Sequence, residues 1–384
     1  MNVPKIRYDN FTKEWKKVKL SSQASFLQGL TYTPNDVSND GTMVLRSSNI
    51  QNSMVDYNDI VRVNIIIPEK LKIKENDILM CVRNGSKSLV GKTAWLSKNE
   101  EKCTWGAFMN IIRPKEKNKF VYYYLNSKYF YNHVWKDLGT ATVNQITKQT
   151  LESCYLNIPS IEEQEKISNT LSLLDQKIKL QSKKIEDLKL FKLYTKNQIF
   201  NDYDEVHKLK DILVKWNKKN KNNSVKYVES ISNKYGFISQ TDQFEDRNVA
   251  SKNLNNYYII EKGVFGYNPS RLNVGSLALK TNDKISVVSP LYECFTTSQN
   301  NQYLLEWFDS KYFKKETISK FEGGVRNTLN FSNLCEIEIR LPTIEKQNKY
   351  SNIFKMFNNK IELEVKKLYK LHELKKGLMQ SMFV

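Results

Sequence analysis

Two stretches of the chain share one rhythm of apolar and polar positions. Ile167, Leu171, Leu174, Ile178, Ile185 and Leu188 are spaced 4, 3, 4, 7 and 3 residues apart, and Tyr350, Phe354, Phe357, Ile361, Leu368 and Leu371 repeat that spacing. Apolar residues three and four apart fall on one face of an α-helix, and this alternation makes a seam that needs a second helix against it. The skipped seam positions are polar, Gln181 in the first stretch and Glu364 in the second. Each stretch opens on a helix-start signal. Ser160 is placed as an N-cap with Glu163 three residues on to complete a capping box, and Thr343 is the corresponding cap in the second. No proline follows inside either stretch, and Gly377 interrupts only the end of the second. The pattern predicts two helices of about 40 residues, each roughly 60 Å long at 1.5 Å per residue. Antiparallel packing of the two is the simplest cover for both seams. Parallel packing, or separate use of each seam by outside partners, stays open.

The rhythm belongs to a longer repeat. Ser127-Lys128-Tyr129-Phe130 recurs as Ser310-Lys311-Tyr312-Phe313, an offset of 183 residues. The same offset carries Pro159 to Pro342, Ile161 to Ile344, Gln164 to Gln347, Lys177-Ile178 to Lys360-Ile361, Leu188 to Leu371 and Phe200 to Phe383. A biased composition does not produce one shared offset, so the chain is a tandem duplication. Outside the helices each copy reads as strand, turn and short helix. Strands are expected over residues 60–67, 77–82 and 107–112 in the first copy, and over 257–260, 264–267, 276–279 and 285–288 in the second. Helices are expected over 119–128 and 302–311. The fold class is therefore α+β: two globular mixed α/β domains joined by two long antiparallel coiled-coil helices, a pseudo-two-fold internal repeat. The expected division is 1–155 and 205–339 for the globular parts, with helical spacers at 156–204 and 340–384.

Composition sharpens this picture. With 60 Lys and Arg against 41 Asp and Glu, the 384-residue chain carries a formal charge of +19, while 21 Tyr, 18 Phe and 6 Trp supply core material that a disordered basic tail lacks. A folded protein so charged attracts polyanions. No apolar run reaches the roughly 18 residues of a membrane span, and the first residues have no apolar signal-peptide core. The five cysteines are scattered, which suggests a reducing, cytoplasmic setting with buried thiols. The stretch 215–223, rich in Lys and Asn, is expected to be a solvated loop, with a phosphate-contacting arm as the alternative.

Catalytic patterns fall short one by one. Gly91-Lys92-Thr93 has Gly85 upstream, but the phosphate cradle needs four residues before its Gly-Lys pair and here there are five. A turn between two strands is the expectation. Asn268-Pro269-Ser270 lacks the second proline and the aromatic with which adenine methyltransferases grip their target. Glu364-Val365-Lys366 has a nuclease-like spacing but lies within a predicted helix, and no aspartate follows Asp309 to complete a metal pair. The three histidines, His133, His207 and His372, stand apart from one another and suggest no triad or zinc site.

The openings Ile158-Pro159-Ser160-Ile161-Glu162-Glu163-Gln164 and Leu341-Pro342-Thr343-Ile344-Glu345-Lys346-Gln347, each following a dissimilar globular part, resemble those of the specificity subunit of type I restriction-modification enzymes. The helix endings, Leu188-Lys189-Leu190-Phe191-Lys192 and Leu371-His372-Glu373-Leu374-Lys375, are similar to that family's as well. So are the turns after the central strand, Gly85-Ser86 with Gly91-Lys92 and Asn268-Pro269-Ser270 with Gly275-Ser276. The resemblance implies two target-recognition domains, each reading one half of an asymmetric, bipartite double-stranded DNA target. It implies helices that fix the gap between the halves and dock two modification (methyltransferase) subunits, with restriction (endonuclease and translocase) subunits joining them. It places S-adenosylmethionine, ATP and Mg2+ in those partners and no cofactor, metal or catalytic residue in this chain.

DNA contacts are expected from polar and basic loop residues. In the first domain these are Arg46, Ser47, Asn49, Arg83, Asn84, Ser86 and Lys87; in the second, Asn268, Ser270, Arg271, Asn273, Ser276 and Arg326. Two other functions fit the same residues. One is the specificity subunit of a related split-target system whose partner fuses methyltransferase and nuclease. The other is a non-catalytic coiled-coil adaptor that binds RNA or a membrane.

Overall fold

A computed structural model describes the chain except residues 1–2, 139–143, 234, 240–252 and 319–327, with the backbone alone for 136–138, 273 and 274. It divides into two compact units, one made of Met1–Ser182 with Lys366–Val384, the other of Lys183–Val365. The two long helices run over Ile161–Ile199 and Ile344–Ser381, so each contributes one end to each unit. In the second unit they pack antiparallel. Lys184 meets the buried Glu364 at 3.1 Å, and two turns on Lys192 reaches Asn358 at 2.8 Å while Phe191 packs edge-on against Phe357. Glu364 is the polar seam residue of the heptad pattern. It sits fully buried between Lys184 and Lys360, whose ammonium groups lie 3.1 and 3.5 Å from its carboxylate.

In the first unit, Lys16–Lys19 pairs antiparallel with Tyr155–Ile158, closing the globular part just before the first long helix. Inside lies a four-stranded antiparallel sheet in the order Ala24–Gln28, Met109–Pro114, Ile78–Cys81, Thr93–Trp95. A second sheet has the order Cys103–Trp105, Thr42–Leu45, Arg62–Val63, Val37–Ser38, its first pair parallel. The second unit repeats the closing pair as Glu205–Lys208 with Glu338–Leu341. It also repeats the central order, as Leu213–Lys215, Glu293–Thr297, Phe265–Tyr267, Leu277–Leu279. Around that sheet it builds two strand pairs, Glu229–Ser232 with Gly236–Ser239 and Tyr258–Ile260 with Ser286–Val288. The duplication is thus kept in the central sheet and the helices and lost in the outer strands.

The duplicated sequence signals hold equivalent contacts. Gln164 Nε2 donates to the Pro159 carbonyl at 3.1 Å and Gln347 Nε2 to the Pro342 carbonyl at 2.9 Å, so the shared opening is a helix-entry clamp. The Ser-Lys-Tyr-Phe repeats open the helices Lys128–Leu138 and Lys311–Ile318 rather than closing the ones before them. The predicted helix over 119–128 stops at Leu125 because the Asn126 amide turns back to the Tyr122 carbonyl (2.8 Å) and the Ser127 hydroxyl accepts from the Phe130 N–H (3.5 Å).

Other expectations are corrected. Of residues 60–67 only Arg62–Val63 is strand: the Asn64 N–H leaves the ladder for the Asp36 carbonyl, and Ile66 is 95% exposed. Ser160 caps the Glu163 N–H as expected, but the Glu163 carboxylate does not return the bond. It takes Arg7 at 2.8 Å and the Trp15 indole at 3.2 Å instead. The stretch 215–223 is not simply a solvated loop either. Asn220 is fully buried, its amide bonding the Val225 and Leu254 carbonyls, and Trp216 Nε1 donates to Ile259.

Candidate nucleic-acid interface

Each central sheet presents one loop between its last two strands, residues 82–92 in the first unit and 268–276 in the second. Both are built alike. Asn84 Oδ1 accepts from the Ser86 N–H at 2.9 Å and Asn268 Oδ1 from the Ser270 N–H at 3.0 Å, the side chain replacing a backbone turn partner. Each loop then makes a short 3-10 turn and leaves through a glycine at φ +90°, Gly91 or Gly275, which other residues adopt only under strain. A neighbouring strap braces each one: Ile146 N–H donates to the Val82 carbonyl (2.7 Å) and Leu329 N–H to the Pro269 carbonyl (3.1 Å). The two near misses for catalytic motifs, around Gly91 and around Asn268, are therefore one structural element in two copies.

In the first unit the loop is joined to the turn of the second sheet. Asn84 Nδ2 donates to Ser47 Oγ at 3.1 Å, and Asn144 Nδ2 donates to the Gly85 carbonyl at 3.1 Å. Arg46 beside Ser47 pairs with Asp59 at 2.6 Å; a hydrogen bond from Ser48 and the Arg46 charge hold the Asp59 carboxyl below the usual range. Arg46, Ser47, Arg83, Asn84, Ser86 and Lys87 thus gather at one end of the unit. Arg83 and Ser86 are exposed, the others half-buried. Asn49 is different. It is fully buried, accepts from the Arg46 N–H and donates to the carbonyls of Asp56 and Asp59, each at 2.9 Å, which holds the turn rather than facing outward.

In the second unit Ser270 and Arg271 are exposed and Asn268 is half-buried, whereas Ser276 is 3% exposed and its backbone closes the loop. The Asn273 side chain and Arg326 lie outside the described residues. Two residues at the first loop escaped the sequence reading: Phe108, 56% exposed under the Arg83 guanidinium, and Trp135, 44% exposed under the Lys87 ammonium. Phe108 lies in the apolar run Ala107-Phe108-Met109 and reads as core, and only the fold shows that both aromatics face out.

Burial pushes the Cys81 thiol up to about 11 and the Cys294 thiol up to about 12, far from a thiolate nucleophile at neutral pH. Among the described residues, no three His, Cys, Asp or Glu side chains are grouped to hold a metal ion, and no helix is long and apolar enough to cross a membrane.

The profile of the type I restriction modification DNA specificity domain matches residues 12–190, which contain the first loop, its unit's sheets and most of the first long helix. That first stretch resembles the type I restriction-modification specificity family. It is 29% identical over 167 residues to the type I restriction enzyme StySPI specificity subunit of Salmonella potsdam, a match covering 42% of this chain and 36% of that protein's length. To the MjaVIII specificity subunit of Methanocaldococcus jannaschii it is 23% identical over 358 residues, covering 82% and 80%. The crystal structure of the type I restriction-modification S subunit of M. genitalium shares the fold, with a TM-score of 0.60 at 15% identity over 100% of this chain and 99% of that one. The specificity family's profile stops short of the second loop, so the equivalence of that loop to the first rests on the matching geometry within each unit.

Proposed function

We propose that the chain is the address-reading subunit of a type I restriction-modification complex. It binds double-stranded DNA at an asymmetric bipartite target and carries no reaction of its own. The observation that supports this most directly is the pair of equivalent loops with unlike residues: Arg83, Ser86 and Lys87 at one, Ser270 and Arg271 at the other. One scaffold offering two different hydrogen-bonding surfaces suits two unlike half-sites. The guanidinium and ammonium groups supply phosphate attraction, and the Arg, Asn and Ser side chains supply base-edge donors and acceptors. Asn49 and Ser276 act as supports of those loops. Residues 1–155 and 205–339 serve as the recognition parts, and 156–204 and 340–384 as the helical spacers that fix the gap and seat two modification subunits. Methylation of adenine from S-adenosylmethionine, and ATP- and Mg2+-dependent translocation and cleavage, belong to the modification and restriction partners.

The test is to purify the chain with its co-expressed partners and map methylated adenines genome-wide. An asymmetric motif in two parts is expected. A single contiguous motif, or no sequence-dependent mark, would sink the proposal.

A further inference from the structure

The repeat also exposes where the two modules differ, and one difference lies at a buried docking contact. In the first unit, the end of the second long helix seats Lys375 on Asp175 at 2.5 Å, and the Tyr123 hydroxyl donates to the same carboxylate at 2.8 Å. One turn on, Met379 enters the apolar core that holds Phe120 and Phe383. In the second unit, the end of the first long helix brings Lys192 to Glu306 (2.7 Å) and Asn358 (2.8 Å), and Lys196 to Glu306 (3.1 Å) and Asp309 (2.9 Å). The 183-residue offset makes Lys192 equivalent to Lys375, Lys196 to Met379, Glu306 to Tyr123, Asp309 to Asn126 and Asn358 to Asp175. Three apolar positions of the two helix ends correspond, Leu188 with Leu371, Ile199 with Met382 and Phe200 with Phe383, while Leu378, packed against the first core, has Thr195 as its equivalent. Phe200 packs on Tyr303 as Phe383 packs on Phe120.

We propose that Lys196 is a pairing key that keeps the first module's helix end out of the first unit's socket, and so prevents a second copy of this chain from pairing there. Shape discriminates weakly, because the two ends share Leu188/Leu371, Phe200/Phe383 and the lysine one turn earlier, and the exchange of Thr195 for Leu378 buries no charge. Lys196 discriminates strongly. It is 4% exposed where it docks, held by two carboxylates. The first socket offers Tyr123 and Asn126 at those positions, and the Asn126 amide is already committed to Thr93 (2.7 Å) and the Tyr122 carbonyl (2.8 Å). A second copy's first helix end would satisfy its Lys192 on Asp175 and leave the Lys196 ammonium buried against apolar side chains. An uncompensated buried charge shifts such an equilibrium on the order of 100-fold or more. The reverse error is mild: Lys375 in the second socket still reaches Glu306, and Asp309 is 73% exposed there and stays hydrated. One penalty suffices, since self-pairing of second modules would strand the first ones.

The inference does not depend on what the loops bind, and it is tested on the full chain. A protease site inserted after Tyr203 is cleaved in the folded protein, and the nicked protein is warmed and read by native mass spectrometry. The parent should keep its two parts one to one, while K196M should raise homodimers of the first part about 100-fold. A second measurement needs no cleavage: M379K places an ammonium in the first socket of the intact chain and should lower its melting temperature. Adding Y123E, N126D and D175N, which copies the second socket, should restore it. Homodimers of the first part from the parent, no gain with K196M, or an M379K chain that melts with the parent would each overturn the proposal.

Discussion

Asn49 gives the sharpest prediction, because a residue expected to face DNA is spent inside the protein. Its side chain makes three hydrogen bonds of 2.9 Å to main-chain groups of the 46–59 turn and is fully buried. Each buried bond contributes about 0.5–1.5 kcal/mol net, so N49A should cost roughly 2–4 kcal/mol. N49D should cost at least as much at neutral pH despite its shape. The Asp56 and Asp59 carbonyls would then face a carboxylate oxygen where they now receive N–H donors. Part of the N49D loss should return as the pH falls and the carboxyl gains a proton to donate. Urea unfolding followed by hydrogen exchange over residues 46–59 measures both effects. On DNA, the turn carries Ser47 and through it Asn84, so N49A should weaken discrimination at one half-site and leave the other intact. An N49D protein as stable as the parent at pH 7, or an N49A protein within about 0.5 kcal/mol of it, would refute the assignment of the amide to both carbonyls.

The two loop glycines should differ under substitution. Both sit at φ +90°, but a Cβ on Gly91 would meet the Tyr131 ring at 3.1 Å whereas one on Gly275 meets nothing within 4 Å. G275A should therefore cost only the backbone term of about 1–2 kcal/mol and G91A more, as read by thermal melts. Glu306 should make stability acid-sensitive. Burial pushes its carboxyl up, but Lys196 and Lys192 outweigh that and hold it below the usual range. Its contribution is present at neutral pH and is lost as pH falls through the lowered value, so E306Q should be less stable at pH 7 and converge with the parent once the pH lies below that value. K87A and R271A should each affect a different half-site. If the lost contact is to phosphate, the slope of log affinity against log salt should fall by about one for each, measured by fluorescence anisotropy.

The helices and the duplication were legible in the sequence because a heptad seam is a local, redundant signal. Its apolar positions, its capping residues and the fixed offset all say the same thing. The loops were legible as well, since Asn84, Asn268, Gly91 and Gly275 carry turn chemistry in their residue types. Strand pairing was not. Lys16–Lys19 reads as a charged surface segment and becomes a strand only because Tyr155–Ile158 returns beside it. Nor was the direction of side chains. Asn49 and Asn84 have the same chemistry at similar turn positions, yet one faces inward because three unpaired main-chain groups surround it. Glu163 left its capping box for Arg7, a partner 156 residues distant that local spacing cannot reveal.

The first unit is stitched shut by Lys366–Val384, which follow the whole of the second unit in sequence. Met379, Met382 and Phe383 lie in its core, and the Ile6 N–H donates to the Ser381 carbonyl at 3.0 Å. On the ribosome this reverses the usual order in which domains mature. The second unit has all its parts, Lys183–Val365, before the first has its own. Phe120 and its neighbours must wait uncovered until position 383 emerges. Of these two units the one begun earlier is completed later, and a chain stalled before position 379 leaves that core open while the other has all its parts.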